Sequence, residues 1–314
     1  MTYFLFFFGF FILVKGANLI VSGASFLAYK LKISPWIIGL TIVGIGTSIP
    51  EFSISFLANL FGNNEISLGT VIGSSIFNIF FILGLAALIY PLRMKKLWVK
   101  RDMILHVFSI VIVSAFALLP FSNLEINRFE GFLLLVIFAF WLYSVLKEPD
   151  SPEDEDSFPA ALFTLPVAIL IILAGLIGVI FGGKWVVEGT MVFADLFGIS
   201  ESLIALTLIG LSTSLPELAV SVTAAFRKEA GIAVGNIIGS NIVNFLMILG
   251  ASAIIKPISN IPAFFYADIL IAILSALFLI IFMFIGKKFV LERWQGAMFI
   301  IFYFLYIIYL LNRG

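Results

Sequence analysis

Runs of apolar residues alternate with short polar clusters along the whole chain. Ten apolar segments can be marked, at 3–29, 34–60, 66–91, 102–121, 129–147, 161–190, 201–226, 231–255, 263–286 and 292–311. About 20 apolar residues in a helix cross the roughly 30 Å of bilayer hydrocarbon. The pattern therefore predicts an all-α membrane protein with ten transmembrane helices. The first segment, MTYFLFFFGFFILV, has no basic residue ahead of its apolar run and no small-residue cleavage site. It reads as a spanning helix and not as a removable signal peptide. EPDSPEDEDSFP, after Lys147, is the one long polar stretch and reads as a linker between two halves.

Charge orients these helices. Thirteen of the eighteen lysines and arginines fall on the side of the first, third, fifth, seventh and ninth connections. The other side has Arg128, Lys256 and Arg313, while Lys15 and Lys184 lie within helices. Cytoplasmic loops carry the positive excess. Both termini are thus expected outside a plasma or inner membrane, with the acidic linker 148–158 in the cytoplasm. The chain is 62% hydrophobic and 11% charged, too little charge to cover a soluble surface. Its formal net charge of zero says nothing about partners. Without cysteine, and with His106 alone, disulfides, thiolate ligands, HExxH-type zinc sites and chemistry needing two imidazoles are excluded.

The chain repeats itself. TIVGIGTSIPEFSIS at 41–55 matches TLIGLSTSLPELAVS at 207–221, and GTVIGSSIFN at 69–78 matches GNIIGSNIVN at 235–244, both at an offset of 166 residues. Five helices fit within that offset. Five is odd, so the second copy enters the membrane from the opposite side. Residues 1–147 form one five-helix repeat and 159–314 a second, inverted one, a recurring plan of secondary transporters.

Glu51 and Glu217 sit deep in apolar segments, where a carboxylate costs about 2.5–3.5 kcal/mol on insertion scales. A structural carboxyl, protonated or paired with Lys15 or Lys184, is the plain alternative. Their matching places in a repeat favour a functional one. Thr47, Ser48 and Ser55 lie three or four residues from Glu51, and Thr213, Ser214 and Ser221 repeat the arrangement around Glu217. Single hydroxyls of this kind often serve only helix packing. Pro50 and Pro216 free the carbonyls of Gly46 and Ser212, giving either a simple kink or unwound backbone that offers oxygen to a cation. Gly44, Gly46 and Gly210 ease such a path. The second motifs add Ser74 with Asn78 and Ser240 with Asn244; an interhelical hydrogen bond is the alternative role for each asparagine. Gly69, Gly73, Gly235 and Gly239 fit close helix packing. Oxygen donors without nitrogen or sulfur suit hard cations, and Ca²⁺ takes about 6–8 of them. One Ca²⁺ would neutralise the two carboxylates, and two or three Na⁺ would match or exceed them by one.

GTSIPE…GSSIFN and STSLPE…GSNIVN, as a duplicated set, resemble the alpha repeats of the sodium/calcium exchanger family within the calcium/cation antiporters. The resemblance covers essentially the whole chain. It implies Glu51 and Glu217 as ligands shared by Ca²⁺ and Na⁺, with Asn78 and Asn244 completing the middle of the site. It further implies a sodium site from Thr47, Ser48, Ser74 and the Gly44 carbonyl, and a counterpart from Thr213, Ser214, Ser240 and the Gly210 carbonyl. No cofactor is implied beyond the transported Na⁺ and Ca²⁺. The family alternates access by sliding its first and sixth helices across a rigid eight-helix core. Asn244 stands where potassium-dependent relatives have aspartate, which points to the potassium-independent branch, and Ser212 replaces the glycine that Gly46 supplies in the first half.

A calcium/proton antiporter on the same scaffold is the alternative, although its GNxxE-type acidic motif is missing. A membrane-embedded metal hydrolase lacks histidine ligands and leaves the inversion unexplained, and a tight carboxylate site would conduct poorly as a channel. The acidic linker has no EF-hand spacing and reads as a solvated tether. Asp268, near one end of the ninth segment, reads as reaching the interface.

Overall fold

The computed structural model describes residues 2–118, 125–147, 164–196, 213–259 and 261–313. The linker at 148–158, and Gly210 and Ser212 with it, lie outside the described residues. Helices dominate: α1 (Thr2–Leu31), α2 (Pro35–Thr47), α3 (Ile49–Leu60), α4 (Asn64–Ile89), α5 (Lys96–Leu118), α6 (Arg128–Lys147), α7 (Leu165–Leu196), α8 (Leu215–Phe226), α9 (Ala230–Ile255), α10 (Phe265–Phe282) and α11 (Arg293–Arg313). Eight described helices are long and apolar enough to cross a membrane, or nine spans if α2 and α3 count as one.

The second segment is broken where its proline predicts. Ser48 leaves helical geometry with φ −80° and ψ 5°, Pro50 occupies the first turn of α3, and the two pieces bend by 47°. A first-turn proline costs nothing in hydrogen bonds, because that N–H has no intrahelical partner. Ser214 and Pro216 repeat this ahead of α8, with φ −89° and ψ 7° at Ser214.

Helix contacts follow the glycines. α1 and α7 run antiparallel through a seven-residue ladder in which Gly9 meets Gly182, Gly16 meets Gly175 and Gly23 meets Ala168. A Cβ added at Gly16 would lie 2.8 Å from the Gly175 carbonyl oxygen. α2 lies equally close to α9: a Cβ on Gly235 would fall 2.8 Å from the Trp36 carbonyl. The backbones touch because no side chain intervenes.

Contacts at the two ends sort the connections. At one end β1 (Leu92–Arg93) pairs antiparallel with β2 (Val290–Leu291). There too, buried Asp102 accepts hydrogen bonds from the indoles of Trp36 and Trp141, each 3.0 Å, and from Arg101 at 2.9 Å. At the other end Ile126 bridges Ile258, and Asn59 donates to the carbonyls of Ser252 and Lys256 at 2.9 and 2.8 Å. Connections expected on the same side do meet.

One expected boundary is corrected. The fourth segment starts as helix at Lys96 and not at 102, because a π-helical turn over Val99–Met103 carries Asp102 inward to its three donors. Asp268, in the first turn of α10, is 4% exposed, paired with Arg313 at 2.9 Å and bonded by Tyr306. A carboxylate held by a guanidinium and a phenol needs no water.

Candidate functional site

Glu51 and Glu217 lie in the first turns of α3 and α8, and both are fully buried. The position suits an anion, since the free N–H groups and the dipole at a helix N-terminus favour negative charge. Neither lysine offered by the sequence pairs with them. Lys15 sits over the Phe11 ring at 5.6 Å, and Lys184 lies 3.8 Å from Glu188.

Hydroxyl partners cross between the two motifs. Ser214 donates to Glu51 Oε1 at 3.2 Å, and Thr213 also bonds that carboxylate. Ser48 donates to Glu217 Oε1 at 3.4 Å. Ser240 lies 3.3 Å from Glu217 Oε1 and 3.1 Å from the Gly44 carbonyl, and its single proton serves one of them at a time. Thr47 approaches Ser240 at 3.3 Å and bonds Asn236 Oδ1 at 3.0 Å. This regroups the expected sets. Thr47, Ser48 and the Gly44 carbonyl gather with Ser240 instead of Ser74, because the break at Ser48 turns these groups towards α9. Ser74 instead donates to the Thr70 carbonyl and receives Asn244 Nδ2 at 3.5 Å. Gly210 lies outside the described residues.

Asn78 and Asn244 stand in π-helical turns, Phe77–Leu83 and Val243–Ile248. Such turns recur at functional sites. Asn78 gives its amide to Asn241 Oδ1 at 2.8 Å. Glu51 Oε2, Glu217 Oε2, Asn78 Oδ1 and Asn244 Oδ1, on the motif residues, are buried without a hydrogen-bond partner among the described residues, as are the Asn59 and Asn64 amide oxygens and the Ser75 and Ser252 hydroxyls. Leaving a buried acceptor unpaired costs about 1–3 kcal/mol, more for a charged one. No group of three or more histidines, cysteines and acids occurs among the described residues, so the charge here belongs to the two glutamates.

Ser55 and Ser221 turn away from this centre. They bond the carbonyls of Ser67 at 3.2 Å and Ala233 at 3.1 Å, tying α3 to α4 and α8 to α9. Asn236 and Asn241 were not singled out in the sequence; their signal was an amide inside an otherwise apolar span. Asn236 braces α8 through the Ser221 hydroxyl at 2.9 Å. A cavity of about 350 Å³ lined by Pro50, Ser53, Gly183, Lys184, Thr213 and Pro216 reaches this region alongside α7.

Apolar helices packed around a buried pair of carboxylates, with oxygen donors in place of an apolar centre, define an integral membrane protein with an internal acidic site. Comparison with known proteins gives the family. The sequence profile described as "Sodium/calcium exchanger protein" matches residues 1–147 and 167–312, and the chain belongs to that family, one of transporters and not of enzymes. It is similar to the sodium/calcium exchanger MaX1 of Methanosarcina acetivorans, 33% identical with 95% of each chain covered. It is likewise similar to the inner membrane protein YrbG of Escherichia coli, 36% identical over 86% of each. The fold matches a solved structure of the sodium-calcium exchanger NCX_Mj soaked with Na⁺ and Ca²⁺, with a TM-score of 0.83, 29% identity, and 98% of this chain and 97% of that one covered.

Proposed function

We propose that this chain is a secondary active antiporter that exchanges Na⁺ for Ca²⁺ by alternating access at one all-oxygen site midway through the membrane. The observation that carries the reading is the set of four donorless buried oxygens, two anionic and two neutral, from α3, α4, α8 and α9. A hard cation is the partner that such a set lacks. Glu51 and Glu217 are the shared ligands, and Asn78 and Asn244 complete the middle. Thr47, Ser48, Ser240 and the Gly44 carbonyl form a sodium site on one flank. Thr213 and Ser214, which bond Glu51, form its counterpart on the other flank. One Ca²⁺ or two to three Na⁺ compete for the same oxygens, and that competition couples the fluxes.

The scaffold in this reading is ten helices in two inverted repeats, 1–147 and 159–314, joined by a cytoplasmic linker with both termini outside the plasma or inner membrane. Hydrogen bonds that recur at the 166-residue offset support it: Ser55 to Ser67 matches Ser221 to Ala233. The glycine ladder between α1 and α7 fits two helices that slide together across the rest.

Calcium-45 uptake into sodium-loaded proteoliposomes tests the reading. An outward sodium gradient should drive uptake, and Glu51→Ala or Glu217→Ala should abolish it in folded protein. Uptake driven by a proton gradient alone would replace Na⁺ by H⁺ as the coupling ion. Full transport by either alanine variant would remove the site.

A further inference from the structure

A second cavity, of about 600 Å³, lies far from the glutamates between the end of α4, the β1–β2 ladder and the start of α11. Tyr90, Arg93, Lys287, Glu292, Arg293 and Trp294 line it. It sits on the face that carries most of the chain's lysines and arginines, which the charge bias assigns to the cytoplasm. We propose that this cavity binds the phosphodiester headgroup of an anionic membrane lipid.

Its walls hold three cations and one anion. Glu292 Oε2 accepts the Trp294 indole N–H at 3.1 Å within the same wall, and its charge leaves the lining a formal excess of two positive charges. None of the three cations is within ion-pair distance of a carboxylate among the described residues. Arg293 spends one donor on the Ile89 carbonyl at 3.3 Å, which anchors the guanidinium and leaves four N–H donors. The backbone that presents these charges is fixed. Arg93 lies in the ladder opposite Val290, and Met94 donates to the Phe289 carbonyl at 2.8 Å. Left-handed Gly286 (φ 76°) and Phe289 (φ 59°) fold the Lys287 turn back against that strand. Concentrating unpaired positive charge on a rigid frame is unfavourable by itself, and an anion relieves it.

The surroundings select a lipid over a soluble phosphate. Trp294, 46% exposed, and Tyr90 stand at helix ends, where aromatic residues mark the membrane–water boundary. Next to Lys287, Phe284 and Ile285 are 57% and 44% exposed, so an apolar surface adjoins the charged one. An amphiphile matches both parts. Basic pockets at the cytoplasmic ends of membrane helices suit anionic headgroups, each basic residue contributing about fivefold in affinity.

The test is independent of transport. Short-chain phosphatidylglycerol or phosphatidylcholine is titrated into purified, detergent-solubilised protein and bound lipid is read by native mass spectrometry. Wild type should prefer phosphatidylglycerol, and Arg93→Gln with Lys287→Gln should weaken its binding roughly 25-fold. Neither side chain forms an ion pair among the described residues, and thermal melting without lipid should be unchanged. The swap Arg93→Lys with Lys287→Arg should retain binding, and Lys30→Gln with Lys32→Gln, on the same face, should leave it intact. Equal binding of the two lipids, or no loss in the double glutamine variant, overturns the proposal. Displacement of the lipid by inorganic phosphate at equal concentration assigns the cavity to a soluble anion and overturns it too.

Discussion

Alanine at Gly16 is a sharp test of how α1 and α7 pack. The added Cβ would stand 2.8 Å from the Gly175 carbonyl oxygen and 2.9 Å from the Val179 nitrogen. Ordinary contact begins near 3.4 Å, so one helix must retreat by at least 0.6 Å, the difference between 3.4 and 2.8 Å. Both obstacles are backbone and cannot rotate aside. Overpacking of this kind costs about 1–3 kcal/mol, roughly a fivefold to hundredfold loss in the folding equilibrium. Gly183 lies on the same α7, yet its nearest neighbour would be a Leu215 side-chain carbon at 3.6 Å, and alanine there should be neutral. Denaturation midpoints of Gly16→Ala and Gly183→Ala in detergent separate the two, and initial calcium-45 uptake rates should follow the same order. The packing argument fails if both variants melt like wild type, or if Gly183→Ala is the more damaging.

Other perturbations give distinct readouts. Asp102→Ala leaves the indoles of Trp36 and Trp141 without their acceptor and should destabilise the protein by about 2–4 kcal/mol, measured by thermal melting. Ser240→Ala removes the hydroxyl shared between Glu217 and the Gly44 carbonyl; sodium dependence of exchange should shift to higher concentration, by roughly tenfold, while the protein stays folded. Glu229 lies just outside α9, and burial pushes its carboxyl above the ordinary 4.5, opposed by Ser25 and Arg227. A raised pKa in the folded state means that its contribution is present below pH 4.5 and lost as pH rises through the higher value. Glu229→Gln should therefore flatten the decline in melting temperature across that window, and an unchanged profile would refute the assignment.

Much of the architecture was legible because lipid imposes a simple rule on sequence: apolar runs of fixed minimum length. The repeat made Glu51 and Glu217 stand out, and Pro50 marked the break at Ser48. Partnership was less legible. Helical spacing puts Thr47 and Ser48 on the Glu51 face, but the 47° bend hands Ser48 to Glu217 instead. The π-helical turns that carry Asn78 and Asn244 leave no mark in composition, since one extra residue in a turn changes direction without changing hydropathy. Asn236 was visible in GNIIGSN, yet only the fold reveals that it supports Thr47. Asp268 showed in the sequence only as a position near a helix end, with no view of its partner Arg313, 45 residues away.

The exchange of hydroxyls between motifs has a consequence for how such a chain can be divided. Each acid takes at least one hydrogen bond from the other motif, so a piece holding one motif alone would leave its acid short of a donor. A truncated copy could recover that donor from a companion piece that carries the other motif. Severing the chain at the linker and supplying both pieces should therefore restore what neither piece possesses.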